Sequence, residues 1–166
     1  MVDAKILELL NTTEEKLVEN LHKDVAEIFT TMIGVEITSS EVAETATQFK
    51  ESVSAMVGFA GGYNGMISLN TPRSLALHFA SQMLGMGEDE CEGEMDDAMG
   101  EIANMIGGSF KHQFVKDGHE VRLSTPSVIR GDEYHMTVGT LPGGLTLRFE
   151  TGAGHFTVSV YLENGD

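Results

Sequence analysis

The sequence holds little that could bind a cofactor. Its single cysteine, Cys91, excludes an intramolecular disulfide and leaves no thiolate-based metal site. The acidic residues around it disfavour the thiolate, which argues against a catalytic cysteine. The six histidines are scattered, with no His-x-x-x-His pair and no Cys-x-x-Cys to join them. The glycines at 61, 62, 65, 143 and 144 lack the Gly-Lys-Ser/Thr element of a phosphate loop, and there is no Gly-x-Ser-x-Gly elbow for acyl transfer. Basic residues are also scarce. Ten Lys and Arg stand against 26 Asp and Glu, giving a net charge of -16 and a pI near 4.6. Such a chain is repelled by nucleic acid and by anionic membrane surfaces, so neither is expected as a partner. No apolar run approaches a membrane span, and residues 1–10 lack the basic region and cleavage site of a signal peptide. The expectation is a cytoplasmic protein, with a basic or mixed-charge protein partner left open.

What is present suits one folded domain over residues 1–166. A chain of this length buries roughly 70% of its unfolded surface, and 41% hydrophobic with 22% charged residues is ordinary for a globular protein. The acids gather in Glu88, Asp89, Glu90, Glu92, Glu94, Asp96 and Asp97. They read as a solvated loop and a favourable helix N-terminus. The regular spacing of an EF-hand calcium loop is missing.

The most informative stretch follows, residues 94–114. At about 100° per residue, Met95, Met99, Ile102, Ala103, Ile106, Phe110 and Phe114 gather on one side, which predicts a helix with a core-facing stripe. Asp97, Glu101, Asn104, Gly108 and Lys111 share the opposite side. Gly100, Gly107 and Gly108 each cost a helix roughly 1 kcal/mol against alanine. Helix propensity would not choose them; a flat surface that another molecule approaches closely would. For Gly107 and Gly108, close packing within the chain stands beside that reading.

Along the chain, residues 3–11 read as a short helix or arm, with Thr12 or Thr13 able to cap the next helix over 14–33. That helix places Val18, Leu21, Val25, Phe29, Met32 and Ile33 inward and stops at Gly34. Residues 35–38 read as a strand and 39–50 as a polar connection. Residues 53–60 and 66–70 flank a glycine-rich turn and predict a hairpin. A helix opens at Thr71-Pro72 and stops at Gly85. After the acidic loop and the key helix come strands at 119–123 and 134–141, then a last hairpin, 145–150 with 155–162. Phe59, Phe79, Phe149 and Phe156 are expected in the core, and the methionines, Met32, Met99 and Met105 among them, as core filling.

The two halves resemble each other. Glu27-Ile28-Phe29-Thr30 matches Glu101-Ile102-Ala103-Asn104, with glycine seven residues after each Glu and a strand and a hairpin following. The order implies an α+β fold: a pseudo-twofold repeat with two long helices packed on a largely antiparallel sheet. Thr30 stands where the second half has Asn104, so chemistry needing both Glu and Asn is confined to the second half.

Glu-x-x-Asn by itself is a common spacing, and Glu8 and Asn11 form another. Outward register, flanking glycines, a following Ser-Thr-Pro and the degenerate copy single out Glu101 and Asn104. Asp97-x-x-x-Glu101-x-x-Asn104, followed after 21 residues by Pro126, resembles the signature of the CheC/CheX/FliY chemotaxis phosphatases. One intact motif, in the second half, is most similar to CheX. The resemblance implies hydrolysis of the phosphoaspartate on a CheY-type response regulator. Asn104 would orient the attacking water and Glu101 would pair with the receiver's lysine. Asp97, Gly100, Gly107, Gly108, Lys111 and Pro126 would meet the partner, with Asp97 also readable as a plain first-turn acid. It further implies that Mg2+ arrives on the receiver, that this chain binds no cofactor or metal, and that the protein is a homodimer, for which exposed hairpin edges are available. A non-catalytic module of the same fold, docking a receiver or a flagellar-switch component, is the alternative.

Overall fold

The computed structural model describes residues 2–113, 120–138 and 144–164. A short helix α1 (Ala4–Leu9), capped by Asp3, precedes α2 (Glu14–Ile28), where the Thr13 side chain accepts from the Lys16 N–H. Of the two threonines able to cap α2, Thr13 is the one used. α2 buries Leu17, Leu21, Val25 and Ile28 and leaves Val18 half-buried. It then widens into a π turn, Phe29–Ile33, closed by Gly34 at φ 82°, whose N–H reaches back to Phe29 O at 2.8 Å. Thr31 Oγ1 donates to Glu27 O, a bond that competes with the helical ladder and favours the distortion. The wide turn keeps Phe29 and Ile33 inside but swings Met32 outward, 57% exposed, so the expectation of a core Met32 fails. Gly108, the counterpart glycine, lies inside its helix rather than ending it.

Seven antiparallel strands follow the helices: β1 (Ile37–Ala43), β2 (Gln48–Gly61), β3 (Tyr63–Pro72), β4 (Val121–Leu123), β5 (Ser127–His135), β6 (Leu145–Thr151) and β7 (Gly154–Asn164). Between β3 and β4 lie α3 (Arg73–Leu84), stopped by Gly85 at φ 66°, and α4 (Met95–Phe110) with a 3₁₀ turn over Lys111–Gln113. The sheet order is β1-β6-β7-β3-β2, with β4 and β5 sharing the far edge along β2.

This order exchanges strands between the halves. The hairpins β2–β3 and β6–β7 meet at the central β3–β7 pair, while β1 joins the second half's hairpin and β5 joins the first half's. The fold class read from sequence is therefore the observed one. Two edges differ from expectation. β1 overlaps the expected 35–38 only at residues 37–38 and runs on through what reads as a polar connection, and β5 keeps only Tyr134 and His135 of the expected 134–141, the described residues 136–138 being outside the strand. Both are exposed edge strands without a clean polar-apolar alternation, so their partners in the other half, not their own residues, make them strands. Phe114 and residues 139–141 of the expected strand fall outside the described residues.

Alternation along the inner strands sorts the two faces. Val53, Ala55, Val57, Ile67, Leu69, Leu147, Phe149, Phe156 and Val158 turn toward α2, α3 and α4 and are buried. Phe29, Phe79, Phe149 and Phe156 form one aromatic cluster, with ring centroids 4.8–5.4 Å apart. The opposite face buries polar residues instead, and they are satisfied among themselves. Asn70 Oδ1 accepts from Ser54 and Ser68 at 2.8 and 3.0 Å, and Thr146 bonds Ser159 and Thr45. Because the Ser54 proton is spent on Asn70, the Tyr134 hydroxyl must be the donor in its 2.8 Å bond to Ser54. Tyr134→Phe deletes that bond while leaving Ser54 its Asn70 partner. The expected loss is about 1 kcal/mol, a fall of roughly 2–4 °C in Tm by calorimetry.

Candidate active site

α4 exists because its apolar residues recur at helical spacing: Met95, Met99, Ile102, Ala103, Ile106 and Phe110 are all buried against the sheet and the neighbouring helices. The same periodicity presents the other side to solvent, where Asp97 and Glu101 are exposed and Asn104, Gly108 and Lys111 half-buried. The outward register read from the sequence is the observed one. Cys91, just before the helix, is buried. Burial and then Glu90 push its thiol up, with Glu94, Asp89 and Glu88 adding to the effect.

The glycines divide. Gly100 and Gly107 are buried, and a Cβ at Gly100 would stand 3.5 Å from Pro126 and Val128, one at Gly107 3.4 Å from Val57. Their room is filled by the chain's own Pro126 loop and strands: of the two readings of Gly107 close packing within the chain is the observed one, and for Gly100 the expectation of space for a partner is corrected. Both lie at the flank of the polar face, one turn from Asn104, where Pro126 and Val128 cover Gly100 and Val57 and Leu123 cover Gly107. Gly108 alone of the three is open, with nothing within 4 Å of a Cβ. Gly108→Ala should therefore raise stability by about 1 kcal/mol through helix propensity, read as a Tm gain of about 2–4 °C. If the face meets a partner closely, the same variant loses affinity in a binding titration.

Pro126 reaches the helix because of a backbone latch. Ser124 N–H donates to Gly58 O, and Gly58 N–H donates to Ser124 Oγ, both at 2.9 Å, while Ser124 Oγ donates to Thr125 O. The latch continues the β2–β4 ladder by one residue and turns Thr125 and Pro126 toward α4, where the missing side chain of Gly100 seats the proline. An ion pair, Asp96 to Arg130 at 3.2 Å, holds the start of α4 to β5 on the far side of the proline. Between α4 and this loop lies an open groove of about 790 Å³, lined by Asn104, Lys111, Arg122, Ser124, Thr125 and Pro126 among others.

The groove thus brings together three residues singled out by sequence, Asn104, Lys111 and Pro126. Glu101 and Asp97 stand on the same helix face toward its N-terminal end, and Gly100 and Gly107 lie beneath. Sequence reading missed Ser124 as the latch and Arg122 as a wall residue. The Ser-Thr-Pro run was a visible signal for the first; nothing local marks Arg122. In the first half, the counterparts Glu27 and Thr30 are also exposed, but Thr30 stands in the π turn and carries no carboxamide.

A half-buried carboxamide at the mouth of an open groove, one helical turn from an exposed carboxylate, can hold a water molecule and a cationic side chain side by side. Comparison with known proteins bears on what that constellation is. The family described as chemotaxis phosphatase CheX matches residues 53–150, from β2 through β6 and including all of α4. Among solved structures, a chemotaxis protein CheX from Desulfovibrio desulfuricans is 30% identical, covers 89% of this chain and 99% of its own, and superposes with a TM-score of 0.73. A putative chemotaxis protein from Desulfovibrio vulgaris Hildenborough is 28% identical over 89% of this chain and 97% of its own, with a TM-score of 0.73. The Borrelia burgdorferi CheX, solved in complex with CheY, BeF3 and Mg2+, shares the fold at 21% identity, 89% and 98% coverage and a TM-score of 0.70. No curated protein matches the chain. With the match spanning more than half of its length and carrying the Glu101–Asn104 helix, the chain belongs to the CheX family of chemotaxis phosphatases.

Proposed function

We propose that this protein hydrolyses the phosphoaspartate of a CheY-type response regulator. The observation that carries the reading is the shared groove: Asn104 and Pro126 line it together, with Glu101 exposed one turn earlier on the same helix face. Phosphoryl transfer asks for an in-line nucleophile and charge stabilisation rather than covalent chemistry from the protein. The Asn104 carboxamide oxygen accepts from a water and aims it at phosphorus. The water oxygen forms the new bond, the acyl-phosphate bond breaks, and the receiver's aspartate leaves as carboxylate with inorganic phosphate as the second product. Glu101 pairs with the receiver's lysine, which fixes the register of Asn104 over the phosphoryl group. Mg2+ is the receiver's contribution.

The same reading places the protein in the cytoplasm with its receiver and makes it a homodimer. The edge strand β1, with Val42 62% exposed, offers an unpaired side to a second copy. The test of the function is the lifetime of a phosphorylated cognate receiver with and without the protein. Shortening by the wild-type chain supports the phosphatase, and an unchanged lifetime despite measurable binding removes it.

A further inference from the structure

We propose that Lys111 and Arg122 form a basic wall of the groove that seats the oxyanions surrounding the partner's phosphorylated carboxylate, fixing which partner docks and in which orientation. The inference takes its partner from the phosphatase reading above. In a chain where acids outnumber bases 26 to 10, the groove beside Asn104 reverses the balance: among the described residues Lys111 and Arg122 line it, with His112, against the single acid Glu120. Two independent elements supply the charge, the turn after α4 and strand β4. Lys111 alone would be accounted for by the helix C-terminus, which favours a cation. Arg122 has no such reason to be there. It is exposed on a strand, and none of the ion pairs among the described residues includes it or Lys111.

The other end of the site has the opposite sign. Asp97 and Glu101 are exposed on the N-terminal half of α4, with Glu92 and Glu94 just before it. The face is therefore bipolar along the helix, acidic where a partner's lysine is to be met and basic beyond Asn104. A phosphoaspartate is doubly charged and is surrounded by the carboxylates that hold its metal. A protein of net charge -16 repels such a surface as a whole, so attraction must be local. Only one way of laying the partner along α4 satisfies both ends.

The experiment measures dephosphorylation of the cognate receiver across receiver concentrations, together with its binding with and without beryllofluoride. Arg122→Glu and Lys111→Glu should each raise KM by about tenfold with kcat within about twofold. The gap from wild type should narrow at high salt, because the attraction is screened, and Arg122→Lys should retain most of the affinity. Arg122 is exposed opposite Ala60, so its replacement is not expected to disturb the fold, and unchanged melting checks this. A binding loss only with beryllofluoride assigns the wall to the phosphoryl group. A loss in both states assigns it to the neighbouring carboxylates, and either outcome supports the wall. Wild-type KM and binding in both charge reversals at low salt would overturn it while leaving the phosphatase standing. Conversely, binding weakened by Arg122→Glu in a protein that never shortens the phosphoryl lifetime keeps the wall and removes the phosphatase.

Discussion

Asn104→Ala should lower the dephosphorylation rate of the receiver by about 100-fold or more while leaving docking nearly intact. The magnitude follows from what the side chain does. Positioning a nucleophile supplies several kcal/mol of the barrier, and small misplacements already cost about 100-fold. Alanine removes the only carboxamide among the described residues that line the groove, whereas Glu101 and the proline loop stay in place. Loss of kcat with a preserved dissociation constant is the signature, measured from receiver lifetime and from titration of a beryllofluoride-activated receiver. An unchanged rate would sink the assignment of Asn104. Transplanting the carboxamide is the complementary arm: Thr30→Asn alone should not create a second site, because the first half ends its helix in a π turn and so presents position 30 in a different frame.

The largest expected effect on stability lies in the middle of the sheet. Gly65→Ala should cost about 3 kcal/mol or more, a fall in Tm of roughly 6–12 °C by calorimetry or thermal circular dichroism. A Cβ at Gly65 would stand 2.0 Å from the backbone carbonyl oxygen of Tyr161, and no rotamer relieves a clash with backbone. Gly65 pairs with Phe59 on one side and Leu162 on the other, so strands β2, β3 and β7 must all shift to admit one methyl group. Glycine inside a strand marks such an approach. Gly65→Ala and Gly108→Ala are thus the same chemical change with opposite predicted signs, and a melting curve on each separates crowding from propensity.

Much of this was legible in the residues. α2, α3 and α4, both hairpins and the burial of Phe29, Phe59, Phe79, Phe149 and Phe156 follow from periodicity, caps and glycine turns, because those signals are local, although Tyr63 to Gly65 of the expected first turn belong to β3. Two kinds of feature were not. The edge strands β1 and β5 owe their existence to partners in the opposite half, and a single-strand reading has no access to a pairing more than a hundred residues away, as between Ser40 and Phe149. The glycines of α4 were legible as a cost to the helix but not in direction: Gly100 and Gly107 serve the sheet, Gly108 the surface. Arg122 carries no local signature at all, since a lone arginine on a short strand acquires its meaning only from the loop and helix across the groove.

The exchange of edge strands has a consequence for how the molecule comes into being. As synthesis proceeds, the β2–β3 hairpin is finished while its outer neighbour β5 and its central neighbour β7 do not yet exist. The first half is therefore left with open flanks until β5 and then β7 have been made. Neither half can serve as a template that folds and then waits. The half that lacks the carboxamide is for the same reason indispensable: its strand β2 carries the Gly58 latch and the ladder on which Pro126 rests. Removing the first half would therefore take away the strand that holds the proline loop beside Asn104.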